Sequence, residues 1–218
     1  MTGPESIGLR PARLGILLSG RGSNFLAIAE AIKSGKLAAE IAVVISNVAD
    51  APGLERAREI GLATAVFVSK GRKRAEHDAD VAACLREHNA ELVILAGYMR
   101  LLSPEFIGAF PNRILNIHPS LLPAFPGLDA QTQAFDYGCK VAGCTVHFVD
   151  EQLDHGVIVL QRSIPVLDHD DAHSLADRIL DEEHLAYPEA IARVISGTYR
   201  IEGRRYVWVS GEPVPAVK

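Results

Sequence analysis

At 218 residues, with 48% of them hydrophobic and 22% charged, the chain is long enough to bury most of its surface in one α/β domain. A formal charge of −5 without a dense Lys/Arg stripe argues against a general nucleic-acid binder, although backbone amides can still hold a small anion. Cys84, Cys139 and Cys144 are too few and too oddly spaced for a disulfide framework or a zinc ribbon. No apolar run reaches the roughly 18 residues that a membrane span needs, and the expected setting is the reducing cytoplasm.

Residues 1–12 carry glycine, prolines and both charge signs without a hydrophobic stretch, so a disordered leader is expected there rather than a signal peptide. A single domain is expected over 13–210, followed by a tail at 211–218. Apolar, β-branched runs at Arg13–Leu18, Glu40–Ile45, Ala63–Val68 and Leu92–Ala96 read as buried strands. Helical periodicities fall between them at about Asn24–Lys33, Pro52–Gly61 and Arg74–His88, the last placing Cys84 in the core. This alternation implies right-handed βαβ units, hence a Rossmann-like, mostly parallel sheet with helices on both faces.

After the first strand, Ser19-Gly20-Arg21-Gly22-Ser23-Asn24 opens a helix. Two glycines let backbone N–H groups approach a phosphate, and Ser23 or Asn24 can cap the helix. A tight strand-to-helix turn with an ordinary cap reads equally well, since neither the Walker A pattern nor the full dinucleotide fingerprint is present. Leu95–Leu102 leaves another strand without a charge until Arg100, and Ser103-Pro104-Glu105 starts a helix. Tyr98, Met99, Leu101 and Leu102 could wall a flat apolar ligand or simply be core.

Arg113–Ile117 reads as the next strand, and it runs into Asn116-Ile117-His118-Pro119-Ser120-Leu121-Leu122-Pro123. Side chains two apart on a strand share a face, so Asn116 and His118 project together. An amide donor beside a titratable ring suits chemistry that builds an oxyanion and moves protons. Taken singly, Asn116 could close a turn and His118 could be a satisfied core residue. Pro119, Pro123 and Pro126 make a stiff surface loop. Two antiparallel strands are expected at Val141–Val149 and Val157–Val166, joined by a loop holding Asp150, Asp154 and His155. A long helix over Ala172–Ile195 and a hairpin over Tyr199–Val209 through Glu202-Gly203 complete the chain. His118, His147 and His155 are metal candidates by type, but no HExxH or comparable spacing supports a metal.

The glycine-rich Gly20–Asn24, the Leu95–Arg100 run, the Asn116–Pro123 block and Leu153-Asp154-His155-Gly156 together resemble the folate-dependent formyltransferases, over about residues 13–210. The resemblance implies the formyltransferase fold, with Asn116, His118 and Asp154 as the catalytic group. The formyl donor would be 10-formyltetrahydrofolate and no metal would be required. It further implies an acceptor, glycinamide ribonucleotide of purine biosynthesis, with its phosphate on Gly22, Ser23 and Asn24 and its ribose near Glu183. The reduced folate would lie against Met99, Arg100, Leu101, Leu102, Asn116 and the Asp150–Asp154 loop, with Arg74 near its glutamate tail. One departure stands out: Leu128-Asp129-Ala130-Gln131 replaces a segment that carries histidine in many family members, and the loop around it is expected to be mobile and to order over substrates. Neither nucleic acid nor membrane is an expected partner, and the resemblance leaves room for a homodimer. Within the family, a hydrolase passing the formyl group to water would normally carry an extra N-terminal domain. A tRNA-directed transferase would carry a C-terminal tRNA-binding domain and a basic surface. A silent mononucleotide- or folate-binding module would not need the Asn116/His118/Asp154 set.

Overall fold

The computed structural model describes residues 10–209, so most of the expected leader and the whole of the expected tail lie outside the described residues. The described chain falls into two compact units, 10–116 and 117–209.

In the first unit, strands β1 (Ala12–Leu18), β2 (Ala39–Ser46), β3 (Thr64–Val66), β4 (Leu92–Leu95) and the start of β5 (Ile114–His118) pair in the order β3-β2-β1-β4-β5, every pair parallel. Leu14, Ile16, Leu17, Val43, Val44, Val93 and Ile94 are all fully buried. Such unbroken apolar runs are what a parallel strand needs when helices cover both of its faces. Those helices are α1 (Ser23–Lys33), α2 (Pro52–Glu59), α3 (Arg74–Glu87) and α4 (Pro104–Ala109). Pro52 and Pro104 each sit in a first turn, where the missing N–H would have had no intrahelical partner. Strand order reverses at β1, which makes the gap between β1 and β4 the topological switch point. The expected strand at Ala63–Val68 is shorter than its composition suggests. Beyond Val66 the Phe67 carbonyl is taken by the His77 ring rather than by a strand neighbour, so the ladder stops.

In the second unit, β6 (Val141–Phe148) and β7 (Ile158–Pro165) form an antiparallel pair, as expected. Strand β7 then pairs in parallel with β9 (Arg205–Trp208), and β9 closes an antiparallel hairpin with β8 (Tyr199–Glu202). A row of rings links β6 to the hairpin: Phe148 lies 6.1 Å from Tyr199, which stacks on Tyr206 at 4.6 Å. Helix α6 spans Ala172–Ile195, as its apolar periodicity predicts. Its start is a capping box, in which Asp171 accepts from the Ser174 N–H (2.7 Å) and the Ser174 hydroxyl accepts from the Asp171 N–H (2.9 Å). Midway along α6, buried Glu189 is held from both sides, by Arg162 of β7 and by Arg193 one turn on, each at 2.7 Å. Unexpected is α5 (Ala130–Asp136), a helix of seven residues where the sequence suggests only loop. Asp129 precedes it in the left-handed region (φ 55), and the Gln133 side chain bonds back to the Leu128 carbonyl at 2.7 Å, a local device without apolar periodicity.

Candidate active site

The residues that the sequence singles out divide between the two units. In the first unit the organising residue is Ser19, just past the end of β1. Its N–H donates to the Gly97 carbonyl at 3.0 Å, and its hydroxyl donates to Asn47 Oδ1 at 2.6 Å while accepting from the Met99 N–H at 2.8 Å. Asn47 in turn donates to the Ser69 hydroxyl at 3.1 Å. One serine thereby ties together the loops leaving β1, β2 and β4, at the end of the sheet where open α/β folds bind ligands.

Gly22 stands at the threshold of α1 in the left-handed region (φ 73), and a Cβ there would come within 3.1 Å of the Gly53 Cα. Only glycine fits that turn without strain. The expectation that Ser23 or Asn24 caps the helix is corrected: Gly22 is the cap residue, no side chain caps the start, and Ser23 is already the first helical residue. A helix start of this form, glycine at its threshold and first-turn N–H groups at its mouth, is suited to an anion.

The Gly97–Leu102 segment is not core throughout. Met99 is 72% exposed and Leu101 53% exposed, whereas Leu102 is buried and Tyr98 and Arg100 are half-buried. Large apolar side chains held in the open beside the turn that follows β1 are better explained as a contact surface than as core. Arg100 reaches the Arg72 carbonyl at 3.4 Å, and Arg74 is exposed at the start of α3.

In the second unit His118, at the end of β5, is buried with a hydrogen-bond acceptor toward each ring nitrogen. Its Nε2 donates to the Phe125 carbonyl at 2.8 Å, and its Nδ1 stands 3.4 Å from Asp154 Oδ2. Asn116 lies two residues earlier on the same strand, half-buried. Asp154 occupies the left-handed region (φ 48), and its Oδ2 also accepts the Gly127 N–H at 2.8 Å. Its other oxygen lies 3.8 Å from Nε2 of buried His147. Burial holds the His147 ring below the ordinary histidine range and neighbouring His118 pushes the same way, against the Phe148 carbonyl and Asp154, which pull it up. Asp150 is engaged by His155, Oδ2 to Nδ1 at 2.8 Å. Among the described residues no group of three or more His, Cys, Asp or Glu side chains could hold a metal ion. Glu183 is buried on α6; together with burial, which is the larger cause, it pushes the Cys144 thiol up to about 12.

Sequence reasoning singles out His118 and Asp154, which the structure brings within 3.4 Å, but not what aims them. The Phe125 carbonyl and the Gly127 N–H are backbone groups with no signature of residue type. By residue type His147 reads only as a metal candidate, and its place directly after the buried run Gly143–Val146 is the available signal. Ser19 and Asn47 were also legible in principle, as polar residues that end strands β1 and β2.

The chain matches the formyl transferase family model over residues 12–191. It is 38% identical over 201 residues to phosphoribosylglycinamide formyltransferase of Escherichia coli, covering 92% of this chain and 94% of that one. It is 42% identical over 197 residues to the trifunctional purine biosynthetic protein adenosine-3 of Drosophila melanogaster, where 89% of this chain spans only 15% of the longer protein. Among solved structures, glycinamide ribonucleotide transformylase 1 of Symbiobacterium toebii superposes with a TM-score of 0.90 at 48% identity, covering 95% of this chain and all of that one. No described helix is long and apolar enough to cross a membrane. The fold is the formyltransferase fold, and the chain belongs to the formyl transferase family.

Proposed function

We propose that this chain transfers the formyl group of 10-formyltetrahydrofolate to the amine of glycinamide ribonucleotide in purine biosynthesis, in the cytoplasm, with residues 13–210 acting as one catalytic domain. The observation that carries the reading is the Asp154 carboxylate 3.4 Å from the His118 ring, with Asn116 two residues before that histidine on β5. The likeness in full length to the Escherichia coli phosphoribosylglycinamide formyltransferase supports the choice of acceptor.

The amine lone pair forms a bond to the formyl carbon, and the carbonyl π pair moves onto oxygen. Asn116 donates its amide N–H to that oxyanion. His118 donates from Nε2, exchanging the Phe125 carbonyl for the oxyanion, while Nδ1 stays against Asp154. Removing one such donor lowers turnover by about 10² to 10³ in comparable sites. The proton shed by the attacking amine passes, with Asp154 assisting through a water, to the folate nitrogen. The bond from that nitrogen to the formyl carbon then breaks, its electron pair staying on nitrogen. The products are tetrahydrofolate and the formylated amide, and no metal enters the balance.

Gly22, Ser23 and Asn24 receive the ribonucleotide phosphate and Glu183 the ribose hydroxyls. The folate is held by Met99, Arg100, Leu101, Leu102, Asn116, Asp150 and Asp154, with Arg74 meeting its glutamate tail. The test is a spectrophotometric assay of 10-formyltetrahydrofolate consumption with and without glycinamide ribonucleotide. Consumption that depends strictly on the ribonucleotide is the expected result. Consumption without it would mean formyl transfer to water, and none at all would leave a binding module.

A further inference from the structure

Outside the catalytic cluster, the most deeply buried charged group of the first unit is Asp78, 1% exposed, beside His77 at 0%. Both lie early in α3. Asp78 Oδ2 accepts the Ser103 N–H at 2.6 Å, and its Oδ1 stands 3.1 Å from His77 Nδ1. The far ring nitrogen of His77 donates to the Phe67 carbonyl at 2.8 Å. A continuous chain of hydrogen bonds therefore runs from the exit of β3, through α3, to the residue that ends the Gly97–Leu102 segment and caps α4. Ser103 itself is 2% exposed, and its hydroxyl accepts the Phe106 N–H at 3.2 Å. At the other end of the segment, Tyr98 turns inward. Its hydroxyl is buried without a hydrogen-bond partner among the described residues, and burial, then the nearby Asp78 carboxylate, push its pKa up.

Burying a carboxylate is costly unless hydrogen bonds repay its lost hydration, and a well-packed apolar residue often serves stability as well. A buried aspartate that spends one oxygen on a single loop amide is therefore better explained by what that amide places. Between the Ser19–Met99 bond at one end and the Asp78–Ser103 bond at the other, four residues are suspended, three of them apolar or cationic side chains exposed or half-exposed at the ligand-binding end of the sheet.

We propose that Asp78, aimed by His77, is a positioning residue that sets the Met99–Leu102 segment at the height where it receives the flat ring of the folate. The inference rests on the folate assignment made above. It predicts a larger effect on the folate than on the ribonucleotide, because Asp78 holds the Ser103 end of the segment, whereas the phosphate turn at Gly22–Asn24 meets the segment only at its other end, through Ser19, and is held besides by the Gly53 N–H on the Gly20 carbonyl at 3.0 Å.

The experiment measures, for wild type, Asp78→Ala and Asp78→Asn, the dissociation constants of tetrahydrofolate and of glycinamide ribonucleotide by calorimetry, and both KM values where turnover occurs. Asp78→Ala is expected to weaken folate binding about tenfold or more, since displacement of a positioning segment by about 1 Å has effects of that size. Ribonucleotide binding should stay within about twofold. Asp78→Asn keeps an acceptor for Ser103 but not the charge facing His77, and should show a smaller loss confined to the folate. If Asp78→Ala does not fold, the asparagine variant carries the test alone. Equal losses for both ligands, or no loss for either, would overturn the proposal. Wild type that binds folate without transferring formyl would sink the functional reading while leaving this one standing, whereas wild type that binds no folate would sink both.

Discussion

Oδ2 of Asp154 stands 3.4 Å from Nδ1 of His118 and, at the same time, accepts the backbone N–H of Gly127 at 2.8 Å. One carboxylate oxygen therefore both faces the ring and anchors the proline-rich loop that follows β5. The two tasks differ chemically: the ring responds to charge, the loop only to an acceptor. That difference makes Asp154 separable by substitution.

Asp154→Asn preserves an acceptor for Gly127 and removes the negative charge. Turnover should fall by about 10² to 10⁴, the range for loss of positioned proton-transfer groups. The ribonucleotide dissociation constant should change less than about threefold, since none of its proposed contacts is touched. Steady-state kinetics beside calorimetry separates the two. Parallel loss of binding would mean that Asp154 is a structural carboxylate.

Gly156 has no room for a side chain. A Cβ there would lie 1.8 Å from the Phe148 carbonyl oxygen and 2.7 Å from its carbon, both backbone atoms that cannot rotate away. Gly156→Ala should therefore shift the Asp150–Gly156 loop and carry Asp154 with it, lowering turnover about tenfold to a hundredfold. A variant with wild-type kinetics would show that the loop absorbs the change without moving the carboxylate.

Thr145, fully buried on β6, serves three partners. Its hydroxyl donates to the Ser120 carbonyl at 2.6 Å, accepts the Leu122 N–H at 3.0 Å and accepts from Gln161 Nε2 at 3.0 Å. Thr145→Val is nearly isosteric but strands those groups, at a cost of about 1–3 kcal/mol. In a protein of this size that corresponds to a melting temperature lower by roughly 3–10 °C. Differential scanning calorimetry reads it directly, and an unchanged Tm would show that Gln161 alone can hold the loop.

Acid should destabilise the fold through His147. Its ring resists protonation when folded because it is buried, while the unfolded ring titrates near its ordinary value of about 6.5. As pH falls below that value the unfolded state binds more protons, so stability declines and levels off only below the depressed folded value. His184, lowered by burial as well, adds the same sign. Urea midpoints measured from pH 8 to 5 should drop, and His147→Asn should show a shallower slope. An identical slope in the variant would exclude His147 as a source.

The large elements were legible because their signals are periodic. The buried strands are unbroken apolar runs, and α6 has both a capping sequence at Asp171–Ser174 and apolar residues at helical spacing. What escaped were features set by one residue's backbone: the glycine cap at Gly22, the early end of β3, and α5 starting behind a left-handed Asp129. The site followed the same division. Asn116 and His118 can be singled out by their chemistry and spacing, and Asp154 by the family resemblance. The carbonyl of Phe125 and the amide of Gly127 belong to any residue whatever, and only the path of the chain brings them to the ring and the carboxylate.

Glu189 between Arg162 and Arg193 constrains how this chain can change over time. Each arginine satisfies one oxygen of a buried carboxylate, so losing either arginine strands one oxygen of Glu189, a loss of about 1–3 kcal/mol. Replacing all three with apolar residues of matching volume can be neutral or better. The route between those two sequences passes through intermediates less fit than either end. Positions 162, 189 and 193 should therefore drift together or not at all, a lineage-level lock imposed by electrostatics.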